Sequence, residues 1–186
     1  MTPAFRMLVA GLAAAIAVLA PAGVASAGPA APDVPSGLDV PQGNKVFLVA
    51  HATGVQIYSC TATANGYSWT LLAPRANLYD DHGRLIGSHF AGPTWQAEDG
   101  SSVRAARFAD PVTVDPTAVP WLLLKKTSTT SGVDGDRLTG TTFIQRIHTV
   151  GGLAPAAGQC SATTVGAQAE SDYTADYSFW KAGVSS

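Results

Sequence analysis

Hydrophobic and polar residues alternate along much of this chain with the period of two that is typical of β-strands. In the clearest run, residues 173–180 (YTADYSFW), Tyr173, Ala175, Tyr177 and Phe179 share one face. Beyond residue 27 no stretch has apolar residues at the helical spacing i, i+3, i+4 and i+7, and turn-forming residues recur about every ten positions. The pattern therefore predicts an all-β single domain, built as an antiparallel β-sandwich or a closed barrel.

Residues 55–72 are typical of a β-hairpin. Asn65-Gly66 is the dipeptide that best suits a two-residue type I′ turn, and a turn there places Cys60 opposite Leu71. In that register one face of the hairpin is aromatic and apolar and the other is almost entirely Ser and Thr, as expected when one face is buried. The hairpin therefore predicts that Cys60 points into the core.

Other apolar runs bounded by turn residues predict further strands at 45–50, 76–79, 84–90, 94–97, 103–108, 121–126 and 141–150. Turns are expected at 80–83 and 98–101. Asp134-Gly135-Asp136 resembles a fragment of a calcium loop, but the other ligand positions and the closing Glu are absent. We therefore expect a hairpin tip there and no metal site.

The N-terminal region has the features of an exported protein. Residues 1–27 resemble a secretory signal peptide, with a positively charged start, a short apolar run and an A-x-A cleavage site. Residues 28–43, rich in proline, are expected to form an extended leader that Leu38 and Val40 attach to the β-rich domain at 44–186. Because no later run has the roughly 20 apolar residues of a spanning helix, we expect no membrane attachment after cleavage. The expected location is extracellular, with the periplasm or cell surface as alternatives.

Charge and cysteine content narrow the function classes. The formal net charge is −2 and no basic run is present, so the sequence predicts no nucleic-acid partner. In an exported domain, two cysteines most simply form one disulfide, Cys60 with Cys160. Such a loop of about 100 residues is worth roughly 4.7 kcal/mol in the chain-entropy model. The alternative, a reactive thiolate, requires a lowered pKa and a reducing setting. The oligomeric state is left open.

The stretch 89–101 (HFAGPTWQAEDGS) combines a histidine, a tryptophan, two carboxylates and a Gly-Pro turn. This density of polar groups beside a rigid turn is typical of a binding or catalytic loop, but also of a β-sheet corner. The candidate ligand-binding residues across the whole chain are His89, Trp95, Asp99, Trp121, Arg146 and Asp176. Arg146 and His148 share a face with Ile144, which is either a polar pocket or a solvent-exposed face.

Six successive motifs along the chain resemble those of a known protein family. They are GVQIYSC at 54–60, HFAGPTW at 89–95, DGS at 99–101, PWLLL at 120–124, IQRIHTVGG at 144–152 and YTADYSF at 173–179. Together they resemble a family of secreted bacterial and fungal proteins catalogued as domain of unknown function 3455. The resemblance implies one exported β-rich domain without an agreed activity.

Some members of that family carry a malate dehydrogenase label, which the sequence does not support. No G-x-G-x-x-G follows a strand and opens a helix, and strands do not alternate with helices. The 159 residues that follow residue 27 are too few for a dinucleotide domain and a substrate domain. We therefore expect no dinucleotide cofactor and reject this activity.

Three hypotheses remain. The first is a non-catalytic binding module for a small or sugar-like ligand, with aromatic residues lining the site and polar groups orienting the ligand. The second is a hydrolase that uses His89 as general base, oriented by Asp99 or Asp176, although no G-x-S-x-G or H-E-x-x-H motif is present. The third is a structural or surface protein whose polar residues lock corners. A metal site formed by His51, His89 and His148 is not expected.

Overall fold

Eight antiparallel strands, each paired with its neighbours in the chain, form one sheet that closes when β8 pairs with β1. The computed structural model describes residues 1 and 28–183. The strands are β1 (Asn44–Thr63), β2 (Gly66–Tyr79), β3 (Leu85–Phe90), β4 (Thr94–Ala97), β5 (Ser102–Arg107), β6 (Leu122–Thr130), β7 (Thr141–Gly151) and β8 (Gln168–Ala182). The all-β prediction is confirmed, and of the two predicted architectures the barrel is the one formed.

The N-terminal half differs from the prediction in its first strand. The runs at 45–50 and 55–63 were expected as separate strands, but they form the continuous strand β1. Apart from Met1, the expected signal peptide lies outside the described residues. In the described part of the chain no helix is long and apolar enough to cross a membrane.

The barrel interior is built from alternate residues of each strand. On β8 the predicted face of Tyr173, Ala175, Tyr177 and Phe179 is buried in the main hydrophobic cluster. Small residues such as Ala50 fill the same cluster from the other strands. Because successive strand residues point to opposite faces, the residues between these positions lie on the outside of the barrel.

The segment that precedes β1 packs on the outside of the barrel. Leu38 is fully buried in a second apolar cluster with Leu123, Phe143 and Trp180. Its carbonyl accepts a hydrogen bond of 2.8 Å from Gln145 Nε2, and Trp180 Nε1 donates to Gln145 Oε1 at 2.8 Å. Trp180 therefore belongs to the packing on the outside of the barrel.

The first hairpin forms where predicted, but the predicted register differs from the observed register by two residues. Cys60 pairs with Trp69 rather than Leu71, and Thr63 pairs with Gly66, so the turn lies one residue earlier than expected. A two-residue slip keeps every side chain on its predicted face, so polarity alone does not distinguish the two registers. Cys60 is buried as predicted, at 1% exposure.

The disulfide between Cys60 and Cys160 is confirmed. It joins β1 to the loop between β7 and β8 across 100 positions of the sequence. Cys60 N also donates to the Ala167 carbonyl at 2.9 Å, and Gly166 N donates to the Cys60 carbonyl at 2.9 Å. The cross-link therefore fixes this long loop against the end of the first hairpin.

The turn supplies a first test. Gly66 has a φ of 125° and a Cβ added there would meet open space, whereas Gly140 has the same open space without a positive φ. We expect Gly66→Ala to cost about 1–3 kcal/mol of unfolding free energy, because L-residues avoid this backbone region. Gly140→Ala is the matched control and should cost less. Equal unfolding midpoints in urea for the two variants would contradict the assigned backbone conformation.

Candidate functional site

A cavity of about 110 Å³ lies inside the barrel, at the end where β1 and β2 approach the β3–β4 turn. Its wall draws on strands from both sides of the barrel, which identifies it as interior space rather than a surface groove. The lining residues are Gln56, Leu71, Pro74, His89, Pro93, Trp95, Leu122, Leu124, Arg146 and Tyr177. Leu71 is 48% exposed and marks the mouth of the cavity.

A stack of aromatic rings forms one side of this cavity. His89 on β3 pairs directly across the sheet with Trp95 on β4, and the two rings stack at a centroid distance of 4.1 Å. The strands are joined by a tight turn that contains Gly92, with a φ of 90°. The Tyr177 ring contacts both edge-on, at 5.1 Å from His89 and 5.3 Å from Trp95. The central stretch of the sequence thus turns its histidine and tryptophan into the barrel.

Burial controls the chemistry of His89. Its Nδ1 lies 2.9 Å from the Thr94 carbonyl, which can only accept, so Nδ1 carries the proton and Nε2 has a free lone pair. Burial lowers the pKa of His89 to about 3, the Thr94 hydrogen bond opposes this, and the positive charge of Arg146 lowers it further. His89 is therefore a neutral imidazole over the physiological range.

Arg146 and Tyr177 complete the polar wall, and Tyr173 lies beside Tyr177 outside that wall. Arg146 on β7 donates from Nε and Nη2 to the Pro120 carbonyl, at 3.2 and 2.7 Å. The Tyr173 and Tyr177 hydroxyl groups lie 3.4 Å apart. Burial raises the pKa of both phenols, while nearby Arg146 opposes that effect. The tyrosines remain protonated and Arg146 is the cationic group of the cavity.

Gln56 also lines the cavity, although it is not among the candidate residues predicted from the sequence. Its side chain is 1% exposed, and its Nε2 has no hydrogen-bond partner within the described chain. The amide lies near enough to Tyr173 to affect that phenol, but its Nε2 is left without a partner there. Gln56 has the same strand parity as Cys60, which was predicted to point inward. That parity was the available signal for this residue.

Asp99 does not line the cavity and instead locks a corner. Its carboxylate accepts from Ser101 N and Oγ at 2.9 and 2.6 Å and from Arg137 N at 2.9 Å. Ser101 Oγ in turn accepts from Leu138 N at 3.1 Å. The hydrogen bond from Ser101 is the main reason that the pKa of Asp99 is lowered. The contacts join the β4–β5 turn to the β6–β7 loop, which holds Asp134 and Asp136.

Asp176 lies on the outer face of β8, between two histidines. It contacts His51 Nδ1 at 2.6 Å and His148 Nδ1 at 2.8 Å, and His51 Nε2 contacts Asp81 at 2.8 Å. The hydrogen bonds to Asp81 and then Asp176 raise the pKa of His51. Neither Asp99 nor Asp176 is hydrogen bonded to His89. The predicted pairing of His89 with either carboxylate is thus not seen among the described contacts.

A β-bulge explains why Arg146 and His148 separate. The β7–β8 register shifts between Ile147 and Val150, and His148 has a φ of 48°. The alternation therefore breaks after Arg146, so Arg146 faces the cavity with His89 and Trp95 while His148 contacts Asp176 outside. The Trp121 ring packs edge-on against His148 at 5.1 Å and does not reach the cavity. Within the described residues no group of three or more potential metal ligands is suitably placed.

The geometry defines a closed, eight-stranded antiparallel barrel with a small polar and aromatic cavity at one end. The chain belongs to the family described as "Protein of unknown function (DUF3455)", whose sequence profile matches residues 41–181. The matched range contains every residue of the cavity wall. No curated protein and no solved structure matches the chain.

The neutral state of His89 can be tested directly. Because its folded-state pKa lies below the ordinary value of 6.5, the unfolded chain takes up this proton first. His89 should therefore reduce stability as pH falls from about 6.5 toward about 3, with no contribution at higher pH. ¹⁵N-correlated NMR of the four histidine rings should show His89 in the Nδ1-protonated neutral form at about pH 5, whereas His51 is cationic. Protonation of His89 near its ordinary pKa of 6.5 would contradict its burial.

Proposed function

We propose that this protein is a non-catalytic binding module that holds one small ligand in the barrel cavity. The observation that carries the proposal is the convergence of His89, Trp95, Tyr177 and Arg146 on one interior cavity with an exposed mouth. Ligand sites in proteins are typically concave and mostly apolar, with a few polar groups that orient the ligand. Eight-stranded barrels have interiors just wide enough for side chains or one small ligand.

The size of the cavity restricts the ligand. A cavity of about 150 Å³ accommodates benzene, and this one encloses about 110 Å³ before its open mouth is counted. Of the small or sugar-like ligands considered from the sequence, the small ones therefore fit better. A sugar ring would have to protrude at Leu71 and Pro74.

The hydrolase alternative has less support in the geometry. A general base works best with a pKa near the operating pH, whereas burial lowers the pKa of His89 to about 3. The partner of His89 Nδ1 is a carbonyl rather than a carboxylate. The structural alternative accounts well for Asp99, which locks a corner, but it does not account for the polar groups around the cavity.

Two adjacent leucines provide the test. Leu71 lines the mouth, whereas Leu72 is 56% exposed and lies outside the cavity wall. In an NMR screen of small-molecule fragments, we expect ligands that shift the His89 and Trp95 resonances. Leu71→Trp should block the mouth and weaken these ligands by about tenfold or more. Leu72→Trp, which adds the same ring one residue away, should leave affinity unchanged.

The outcomes separate the three hypotheses. No bound fragment in the screen would favour the structural alternative. Generic esterase, glycosidase and peptidase assays run in parallel address the hydrolase. Turnover that is lost in His89→Ala while the fold is retained would overturn the binding module.

We further propose that the protein is exported and that its mature form, after cleavage of the signal peptide, begins at Gly28. The disulfide between Cys60 and Cys160 supports an oxidising compartment. N-terminal sequencing of the protein from culture supernatant should give a chain that starts at Gly28. Recovery of the protein in the membrane fraction with Arg6 retained would contradict export with cleavage.

A further inference from the structure

Arg146 brings a positive charge to the cavity wall without a carboxylate partner. Its Nε and Nη2 both donate to the neutral Pro120 carbonyl, and a hydrogen bond from Arg146 to the neutral Tyr177 hydroxyl opposes the rise in the pKa of that phenol. No ion pair within residues 28–183 includes Arg146. Arg146 is partly buried. A guanidinium that loses part of its hydration is stabilised by pairing, and a carboxylate is the partner that its planar group fits best.

Two buried donors on the same wall also have no partner. Gln56 Nε2 and Trp95 Nε1 are unsatisfied within the described chain, and each side chain is 1% exposed. Buried donors are nearly always hydrogen bonded, so each needs an explanation. Both are N–H groups, and both belong to residues that line the cavity. The cavity wall therefore offers donors that the described chain does not use.

The remaining wall restricts both the charge and the body of a ligand. No Asp or Glu of the described chain lines the cavity, so nothing on the wall repels an anion or neutralises Arg146 internally. His89 is neutral because burial lowers its pKa, and it adds no second positive charge. Leucine, proline and aromatic side chains form the rest of the wall. One negative charge on a compact apolar body matches this wall.

We propose that the ligand is a small monocarboxylate whose carboxylate accepts hydrogen bonds from Arg146 and Gln56 and whose apolar or flat body contacts Trp95. This inference rests on the proposed function and narrows it to a chemical class. It also explains the unpaired charge and the unsatisfied amide of Gln56 by a single bound group. The enclosed space fits a body smaller than one ring, and a ring would reach the mouth, since a cavity that holds benzene is about 150 Å³ and this one is about 110 Å³.

The test compares carboxylates with amides of the same shape. Acetate and acetamide, propionate and propionamide, and benzoate and benzamide are titrated into the folded protein and followed by NMR. At least one carboxylate should bind about tenfold more tightly than its amide, since a charge-assisted hydrogen bond is about twice as strong as a neutral one. The shifted resonances should include those of Gln56, Trp95 and Arg146.

Two variants and one control assign the effect to this wall. Arg146→Met keeps the side-chain stem and should abolish the preference for carboxylates while amide binding is retained. Arg75→Met is the control, because it removes the same charge from an exposed pair with Glu170 on the outer surface. Gln56→Glu is a second variant that tests the same site if Arg146→Met does not fold. It keeps Arg146 and adds a carboxylate to the cavity wall as its internal partner. It should preserve the fold and abolish carboxylate binding.

The outcomes distinguish this inference from the proposed function. If every amide binds as well as its carboxylate, or if Arg146→Met and Gln56→Glu leave the preference intact, the monocarboxylate inference is overturned while the binding module stands. If no carboxylate binds but neutral fragments occupy the cavity, the result is the same. If neither series nor the fragment screen gives a ligand, the proposed function itself fails.

Discussion

Closure of the barrel through β1 is the constraint on which the rest of the structure depends. Within its 20 residues, β1 pairs with β2 from His51 to Thr63 and with β8 from Asn44 to Ser59, so the described sheet closes on itself. Closure also gives the sheet an inside and an outside. The small cavity, the outer apolar cluster around Leu38 and the histidines on either side of Asp176 all follow from that division.

Much of the fold could be predicted because its signals are local. Turn residues and strict alternation located most strands, and the face of β8 that holds Tyr173 and Tyr177 was assigned correctly. The disulfide followed from two cysteines in one β-rich domain. The predicted register of the first hairpin was wrong because it relied on Asn65-Gly66 as the turn. A turn one residue earlier leaves the same side chains on each face, so polarity did not reveal the error. The polarity pattern predicts which face of the sheet a side chain occupies, but the pairing register is set by the position of the turn.

The candidate site was only partly predictable, because its residues meet through closure and through irregularities. His89 and Trp95 are close in the sequence and share a hairpin, so their pairing follows from a local turn. Arg146 comes from a strand far along the chain, and only the bulge after it separates it from His148. The alternation along β8 places Asp176 on the face opposite Tyr177, whereas the residue type of Trp121 does not reveal its outward position. Gln56 was missed because its only signal was its strand parity with Cys60, and an isolated glutamine on a predicted inward position does not by itself indicate a site.

Several polar side chains have partners on the outer face of the barrel, but some on the cavity wall lack them. This contrast is the strongest argument for an interior site. Outside, several ionisable side chains have partners: His51 lies between Asp81 and Asp176, and His148 contacts the second oxygen of Asp176. On the cavity wall, the partly buried Arg146 has no carboxylate partner and the buried Gln56 Nε2 has no acceptor within the described chain. Leucine or methionine at these positions would fill a barrel at lower cost. Polar groups that burden the folded state are expected where a bound ligand offsets the cost.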